Sequence, residues 1–581
     1  MSLPRLRLAE TQIDELAFRR PSEATLQLLR AGQASRRRLL LLALWRERAG
    51  TNDPAYELFV RAARAAPVAV EEVVDRPLAA ASAVRYLRSD RPVGSEEPNH
   101  PRALAAAAAI RAGVSFAIDV PAPDGTIFLP TLGTASGLHC ATAIVSGDRG
   151  TFTVGCRHLT VPASPGPHWR PRQVVALGGV PAWTVEIEDH DPARDCFGYI
   201  PAAPLDRAGG EAVRTNLARG WQVLAAHYPD YARAARACLR SVVPLDADPG
   251  TAGPDDRAAS ASSTLAFGCV AITPSVSPET VALLLAHELQ HNILAAAQDL
   301  TPFTDPPGSE LHHAPWRSDP RSADALLQGA YAHAAVTDHW KGRWLRSVAA
   351  RTPDREAGFH FAYWREVTTT ATATLRRSTE LSRAGRRLVD GLWSARDSWW
   401  AEELPRSLET AAHQVSAADA VHWRIANRRP APGVPQRLSG AFARGLDCPP
   451  LPASEVRAAP PGPNRHTRVA AAIRRRALDR SPPADDARAA DGYRRRIAVD
   501  PSDDEAWVGL AHVTGQLGRS PAAAALAERP DLVRAVLLAY RADHGVRNAP
   551  SPERIAEWLV NGGNSEAADT DDRSGVDQYH R

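Results

Sequence analysis

Apolar residues recur at helical spacing through the first fifth of the chain. Leu26, Leu28, Leu29, Leu39, Leu40 and Leu42 fall among arginines, and Leu104 to Ile110 is an alanine-rich run. Intervals of three and four keep one side of a helix apolar, so residues 1–112 are expected to form a helical N-terminal region. The texture changes at Phe116. Short β-prone runs at 125–129, 142–145, 151–154 and 184–187 are separated by Gly, Pro and Asp, which predicts a β-rich region over 113–205. Helical spacing returns between Ala212 and Val242, where Trp221, Leu224, Tyr228 and Tyr231 recur. Residues 262–275 read as a strand arriving at a turn.

A well-marked helix start follows. Ser277 is placed to cap, Pro278 suits the first helical position, and Glu279 complements the positive helix end. Two further helices are expected from Ala323 to Trp344 and from Phe361 to Leu392, making 206–444 a helical core. Paired prolines at 449–450, 460–461 and 482–483 predict a Pro/Ala-rich linker over 445–487. Beyond it, the run from Asp500-Pro501 through Trp507 to Leu510 resembles one tetratricopeptide-like helical hairpin, so 488–560 is read as a helical region. Residues 561–581 are polar and acidic and are expected to be disordered. The expected fold class is α+β and mainly α-helical, with a zincin-like core around the capped helix.

Composition narrows this picture. The chain has 581 residues, 44% hydrophobic and 23% charged, which is the ordinary globular range, and a net charge of +3. So small an excess gives no electrostatic footprint for nucleic acid, and none is expected as a partner. Positive charge is almost wholly arginine, with Lys341 the single lysine, which reads as coding bias of a GC-rich genome. The six cysteines are scattered without a C-x-x-C pair, which argues against a zinc knuckle, an Fe–S site or a disulfide framework. Residues 1–20 lack the basic-then-apolar order of a signal peptide, and the apolar run Leu39 to Trp45 is too short to span a bilayer. A cytoplasmic protein with no membrane partner is expected.

The chemistry concentrates in His287-Glu288-Leu289-Gln290-His291. Histidines four residues apart on a helix project one turn apart from one face, close enough to hold the same ion. The flanking residues, from Val281 to Ala286 and from Asn292 to Ala297, are apolar on nearly every side, so this helix is expected to be buried. Buried imidazoles and a carboxylate each cost a few kcal/mol without partners, and a metal ion satisfies them together. The alternative is a hydrogen-bonded core cluster.

A catalytic site also needs a third protein ligand and open positions. His333, on an apolar helix of small residues, is the leading candidate; Glu310, His312 and His313 are alternatives from the connecting loop, and His339 is a weaker one. Against His333 stands the plain reading of a core histidine bonded to a backbone carbonyl. Arg317 and Arg321, in the loop Ala314 to Arg321, suit a bidentate clamp on a carboxylate. The competing reading is an ion pair, Arg317 with Asp319 or Arg321 with Asp324.

Several stretches also resemble a known family, the actinobacterial HEXXH-motif peptide-modification proteins, regarded as 2-oxoglutarate-dependent peptide β-hydroxylases. They are Ser260 to Gly268, Leu285 to His291, Ala314 to Arg321 and Leu326 to His333, with weaker matches at 128–133, 361–365 and 500–510. The resemblance runs from about residue 20 to 540, and its specific part is Ser260 to Trp340. It implies Fe(II) held by His287, His291 and a third ligand such as His333. It also implies 2-oxoglutarate as co-substrate with its far carboxylate on Arg317 or Arg321, and hydroxylation of a β-carbon in a ribosomally made precursor peptide. Glu288 then orients a ligand or water. Some relatives carry a radical-SAM domain, whose C-x-x-x-C-x-x-C pattern is missing from this chain.

The rival reading from the motif alone is a zinc metallopeptidase, with Glu288 taking the proton of a metal-bound water. The third is a non-catalytic peptide-binding scaffold.

Overall fold

The computed structural model describes residues 6–49, 52–88, 101–156, 159–162, 164–246, 258–305, 308, 310–457, 466–482, 485–518 and 520–563. The chain is a mixed α+β protein in which helices take up 60% and strands 12%, so helix packing dominates. It divides into two compact units, Met1–Phe303 and Thr304–Arg581. That boundary falls inside the stretch 206–444 that the sequence groups as one helical core. The reason is local pairing. Strands at 241–244 and 269–272 extend a sheet that begins at 173–187, and this draws the following helix into the first unit.

In the first unit, helices Glu10–Ala17, Glu23–Leu44, Pro54–Ala65, Pro67–Val74, Ala79–Arg88 and Pro101–Arg111 occupy the region expected to be helical. Residues Ala103 to Ile110 are all buried, because alanine lets neighbours approach that helix from every side. Phe116–Pro121, Thr142–Asp148, Thr151–Cys156 and Leu159–Pro162 then form an antiparallel sheet. Its tightest connection is Arg149-Gly150, with φ of 50° and 85°, the left-handed pair that a two-residue hairpin turn requires.

The sheet that matters for the site has five strands, in the order Ser260–Ala261, Cys269–Ile272, Ser241–Pro244, Trp183–Ile187 and Gln173–Leu177. Cys269–Ile272 and Ser241–Pro244 run parallel, with Val242 opposite Val270 and Val243 opposite Ala271. Every residue of both strands is buried, as expected for parallel strands covered on two faces. Ser260–Ala261 adds an antiparallel edge, with Ala261 opposite Ala271. The helical spacing over 212–242 is therefore interrupted. Helix Arg207–His227 stops before Pro229, a second helix ends at Cys238, and the β-branched Val242-Val243 pair enters the sheet.

The second unit is built from packed helices around Arg406–Asn427, which lies against Arg355–Arg377, Arg468–Asp479 and Asp504–Gln516. Tyr363, Val367, Leu408, Val415, Trp507 and Leu510 form part of its core. The helix expected from Phe361 to Leu392 is two helices, Arg355–Arg377 and Arg383–Ala395; the Ser382 hydroxyl accepts from the Gly385 amide at 3.1 Å and starts the second. Inside the Pro/Ala-rich stretch 445–487 lies a helix, Arg468–Asp479, capped by Thr467 and buried through Val469, Ala470 and Ile473. The hairpin read at Asp500 to Leu510 coincides with the join between helices Asp486–Val499 and Asp504–Gln516. Of the tail expected to be disordered, 564–581 lies outside the described residues. No helix among the described residues is long and apolar enough to cross a membrane.

Candidate metal centre

The helix Pro278–Leu300 starts where its sequence says it should. Ser277 Oγ accepts from the Thr280 amide at 3.2 Å, Pro278 opens the first turn, and Glu279 sits in that turn. Its body is buried by Val281, Ala282, Leu285, Leu289, Ile293 and Ala297. Close approach to helix Arg207–His227 depends on Gly220, where a Cβ would overlap the Val281 side chain.

This buried helix carries His287 and His291 side by side. Their ring centroids are 4.9 Å apart and the rings are nearly perpendicular, at 82°. Glu288, 2% exposed, lies next to them and faces the edge strand. Its Oε1 accepts from Ser260 Oγ at 2.6 Å and lies 3.9 Å from His287 Nε2. Its Oε2 is buried and has no hydrogen-bond partner among the described residues. One turn on, Asn292 ties the helix to the strand before it. Asn292 Oδ1 accepts from the Gly268 amide at 2.9 Å, and Nδ2 donates to the carbonyl of Glu288 at 3.1 Å.

Two adjacent imidazoles and a buried carboxylate oxygen without a donor fit a cation. Left alone, an unsatisfied buried carboxylate oxygen costs about 1–3 kcal/mol or more. Neighbouring imidazoles on one helix are the kind of nitrogen donors that a zinc or non-haem iron site uses. Among the described residues no group of three or more His, Cys, Asp or Glu is arranged to hold a metal ion.

The other candidate residues belong to the second unit. His333, on helix Ala323–Ala349, is sandwiched between two indoles, with Trp316 at 4.2 Å and 20° and Trp364 at 4.7 Å and 22° between ring planes. Its Nδ1–H donates to the Gly329 carbonyl at 2.8 Å, which directs the ring by its Nε2 edge. The Trp316 indole lies so close over Gly329 that a Cβ there would overlap it.

Arg317 and Arg321 converge on a protein carboxylate. Arg317 Nε lies 2.7 Å from Asp319 Oδ1, and Arg321 Nη1 lies 3.1 Å from Asp319 Oδ2. Burial acts to raise the Asp319 carboxyl pKa, but the two guanidinium hydrogen bonds outweigh it and hold it below the usual range. The clamp expected for a co-substrate carboxylate is thus engaged by Asp319. His312 and Arg321 close this loop with paired backbone hydrogen bonds of 2.7 and 2.9 Å.

His312 Nε2 lies 4.0 Å from Glu310 Oε2. His313 is stacked at a tilt on Trp423, 4.6 Å between centroids, and burial, with Arg424 and Arg428 nearby, pushes its pKa down to about 3. His339 is 2% exposed and meets Trp340 edge-on at 5.6 Å.

Ser260, Asn292 and Trp364 escape sequence reasoning as members of these arrangements. The Arg317–Asp319 ion pair is the competing reading of the loop, whereas Arg321 pairs with Asp319 where that reading has Asp324. No protein-family model matches this chain, and no curated protein matches it either.

Proposed function

We propose that the chain is a metal-dependent, peptide-modifying enzyme whose metal is held by His287 and His291, and that its reaction is 2-oxoglutarate-dependent β-hydroxylation of a residue in a precursor peptide. The observation that carries the metal assignment is the pair of imidazoles 4.9 Å apart on one buried helix. The reaction class comes from the resemblance at Ser260 to Gly268, Leu285 to His291, Ala314 to Arg321 and Leu326 to His333. A zincin-like core belongs to the same proposal, as one buried helix bearing both histidines against a mixed sheet supports it. So does a cytoplasmic setting.

When bound, Fe(II) with open positions supplies the oxidising chemistry of the 2-oxoglutarate oxygenases. The protein's own part is to fix the imidazoles on a rigid helix, exclude water with the apolar flanks of that helix, and hold Glu288 through Ser260. Glu288 then acts by orienting a ligand or water next to His287. His333, the third ligand that the resemblance implies, lies in the other unit, its ring clamped between Trp316 and Trp364 with Nδ1 committed to Gly329. Asp319 bonds to both Arg317 and Arg321, so a carboxylate ligand binds there only by sharing or displacing that partner.

A specific observation favours a second reading. The buried Oε2 of Glu288, without a donor, is the kind of oxygen a general base needs, and a zinc peptidase uses it to take a proton from water. One incubation separates the readings: the purified chain with Fe(II), 2-oxoglutarate and the candidate precursor peptide, analysed by mass spectrometry. Succinate with gain of one oxygen supports hydroxylation. A shortened peptide, with zinc in place of iron, overturns it for the peptidase, and an unchanged peptide that still binds leaves a scaffold.

A further inference from the structure

The loop after His312 and the helices Arg355–Arg377 and Arg406–Asn427 enclose a cavity of about 150 Å³ inside the second unit. Its walls differ from the helix-packing core of that unit. The core is largely aliphatic, with Val367, Leu408, Val415 and Leu510, whereas the cavity is faced by the indoles of Trp316, Trp364 and Trp423 and by the phenol of Tyr363, which core and cavity share. Imidazoles of His313, His422 and His466 complete the ring-lined surface.

These walls are held in place by one another. Trp316 and Trp364 are the two outer layers of the stack on His333. Trp423 is braced by His313 at 4.6 Å, and Tyr363 meets His466 edge-on at 5.5 Å and 84°. Braced rings do not collapse into an empty space, so the cavity persists as a shape. Its volume matches the ~150 Å³ that accepts a single benzene ring, and is below the ~300–1,000 Å³ of sites for larger ligands. The charges at its edge are committed: Asp419 Oδ2 lies 2.7 Å from His466 Nδ1, and Arg317 is bound to Asp319. An anion gains little from such a lining, while a neutral ring gains offset or edge contacts from several aromatic walls; a cation's attraction to ring faces is the competing case that the butylammonium probe reads.

We propose that this cavity binds one uncharged aromatic side chain, phenol- or indole-bearing, of a peptide substrate. The ring-binding part stands on the cavity itself; only the peptide as its source rests on the proposed function. The site gives the enzyme a specificity pocket that recognises an aromatic residue of the substrate.

Ligand-observed NMR on the full chain without added metal tests this, with p-cresol, 3-methylindole, methylcyclohexane and butylammonium as probes. The expected result is saturable binding of p-cresol or 3-methylindole and at least about tenfold weaker binding of the other two. Ala426→Phe, which fills the cavity from its lining, is expected to weaken the aromatic probe by about tenfold or more. Should that variant not fold, Trp364→Leu, which removes one wall, is expected to do the same. Preference for butylammonium, equal binding of methylcyclohexane, no binding of either aromatic probe, or undiminished binding in the variants overturns the proposal. Because no metal is present, His287→Ala is expected to leave probe binding unchanged, so failure here and failure of the metal assignment are read separately.

Discussion

Ser260 reaches across from the edge strand to hold Glu288 at 2.6 Å, and this one hydroxyl fixes the only carboxylate of the H-E-x-x-H motif. Removing it leaves Glu288 buried with neither oxygen held by a described side chain, while both histidines keep their positions. Ser260→Ala is expected to retain bound metal and lower turnover by about 10–100-fold, the usual cost of losing a partner that orients a site. Metal analysis beside a kcat measurement checks it; loss of metal together with activity contradicts a positioning role. The histidine pair was readable from sequence because a spacing of four on a helix is a local rule. Ser260 was not, since its partner lies 28 residues away and is brought close only by strand pairing. His333 and the two arginines show a different limit. Residue type alone left ligand and core histidine, or clamp and ion pair, equally drawn. The structure bonds His333 to the Gly329 carbonyl and both arginines to Asp319.

At the scale of elements, the helix Pro278–Leu300 is held by its cap and by close packing. Gly220 lets helix Arg207–His227 approach Val281, which is fully buried. Gly220→Ala is expected to destabilise the chain by about 1–3 kcal/mol through overpacking, despite alanine's better helix propensity. Chemical denaturation measures this, and unchanged or greater stability contradicts the close approach. The helix start at Ser277 was legible because a capping hydroxyl and a first-turn carboxylate leave a short-range mark. Two features were not. The helix Arg468–Asp479 shows only Val469, Ala470 and Ile473 as buried apolar contacts among arginines, and flanking prolines hide so thin a stripe. The strand Ser241–Pro244 follows a helical run without a glycine or proline between Cys238 and Ser241, so nothing local announces the change of period.

Across the whole molecule, the two units carry buried groups with opposite responses to pH. In the first, burial and the nearby Glu186 carboxylate push Glu188 up to about 8. Its folded pKa lies above the unfolded value, so the folded unit is favoured at low pH and loses stability as pH rises from about 4.5 towards about 8. In the second, His313 is pushed down to about 3, so its unfolded form takes up a proton first, and stability is lost as pH falls from about 6.5 towards about 3. Hydrogen exchange resolved by segment is expected to show these opposite slopes, with Glu188→Gln flattening the first and His313→Phe the second. Parallel slopes in both units contradict the assignment. The helix-dominated α+β character was legible from the periodicity of the chain, whereas the division at Phe303/Thr304 depends on which strands pair and left no compositional mark.

The central claim is that His287 and His291 hold one metal ion. Metal content of the anaerobically purified chain, compared with the His287→Ala/His291→Ala double variant at matched folding by circular dichroism, tests it most directly. The account predicts about one iron or zinc ion per native chain, as a mononuclear site holds, and nearly none in the folded variant. Equal metal in both proteins, or a native chain that takes up none from Fe(II) or Zn(II), contradicts it.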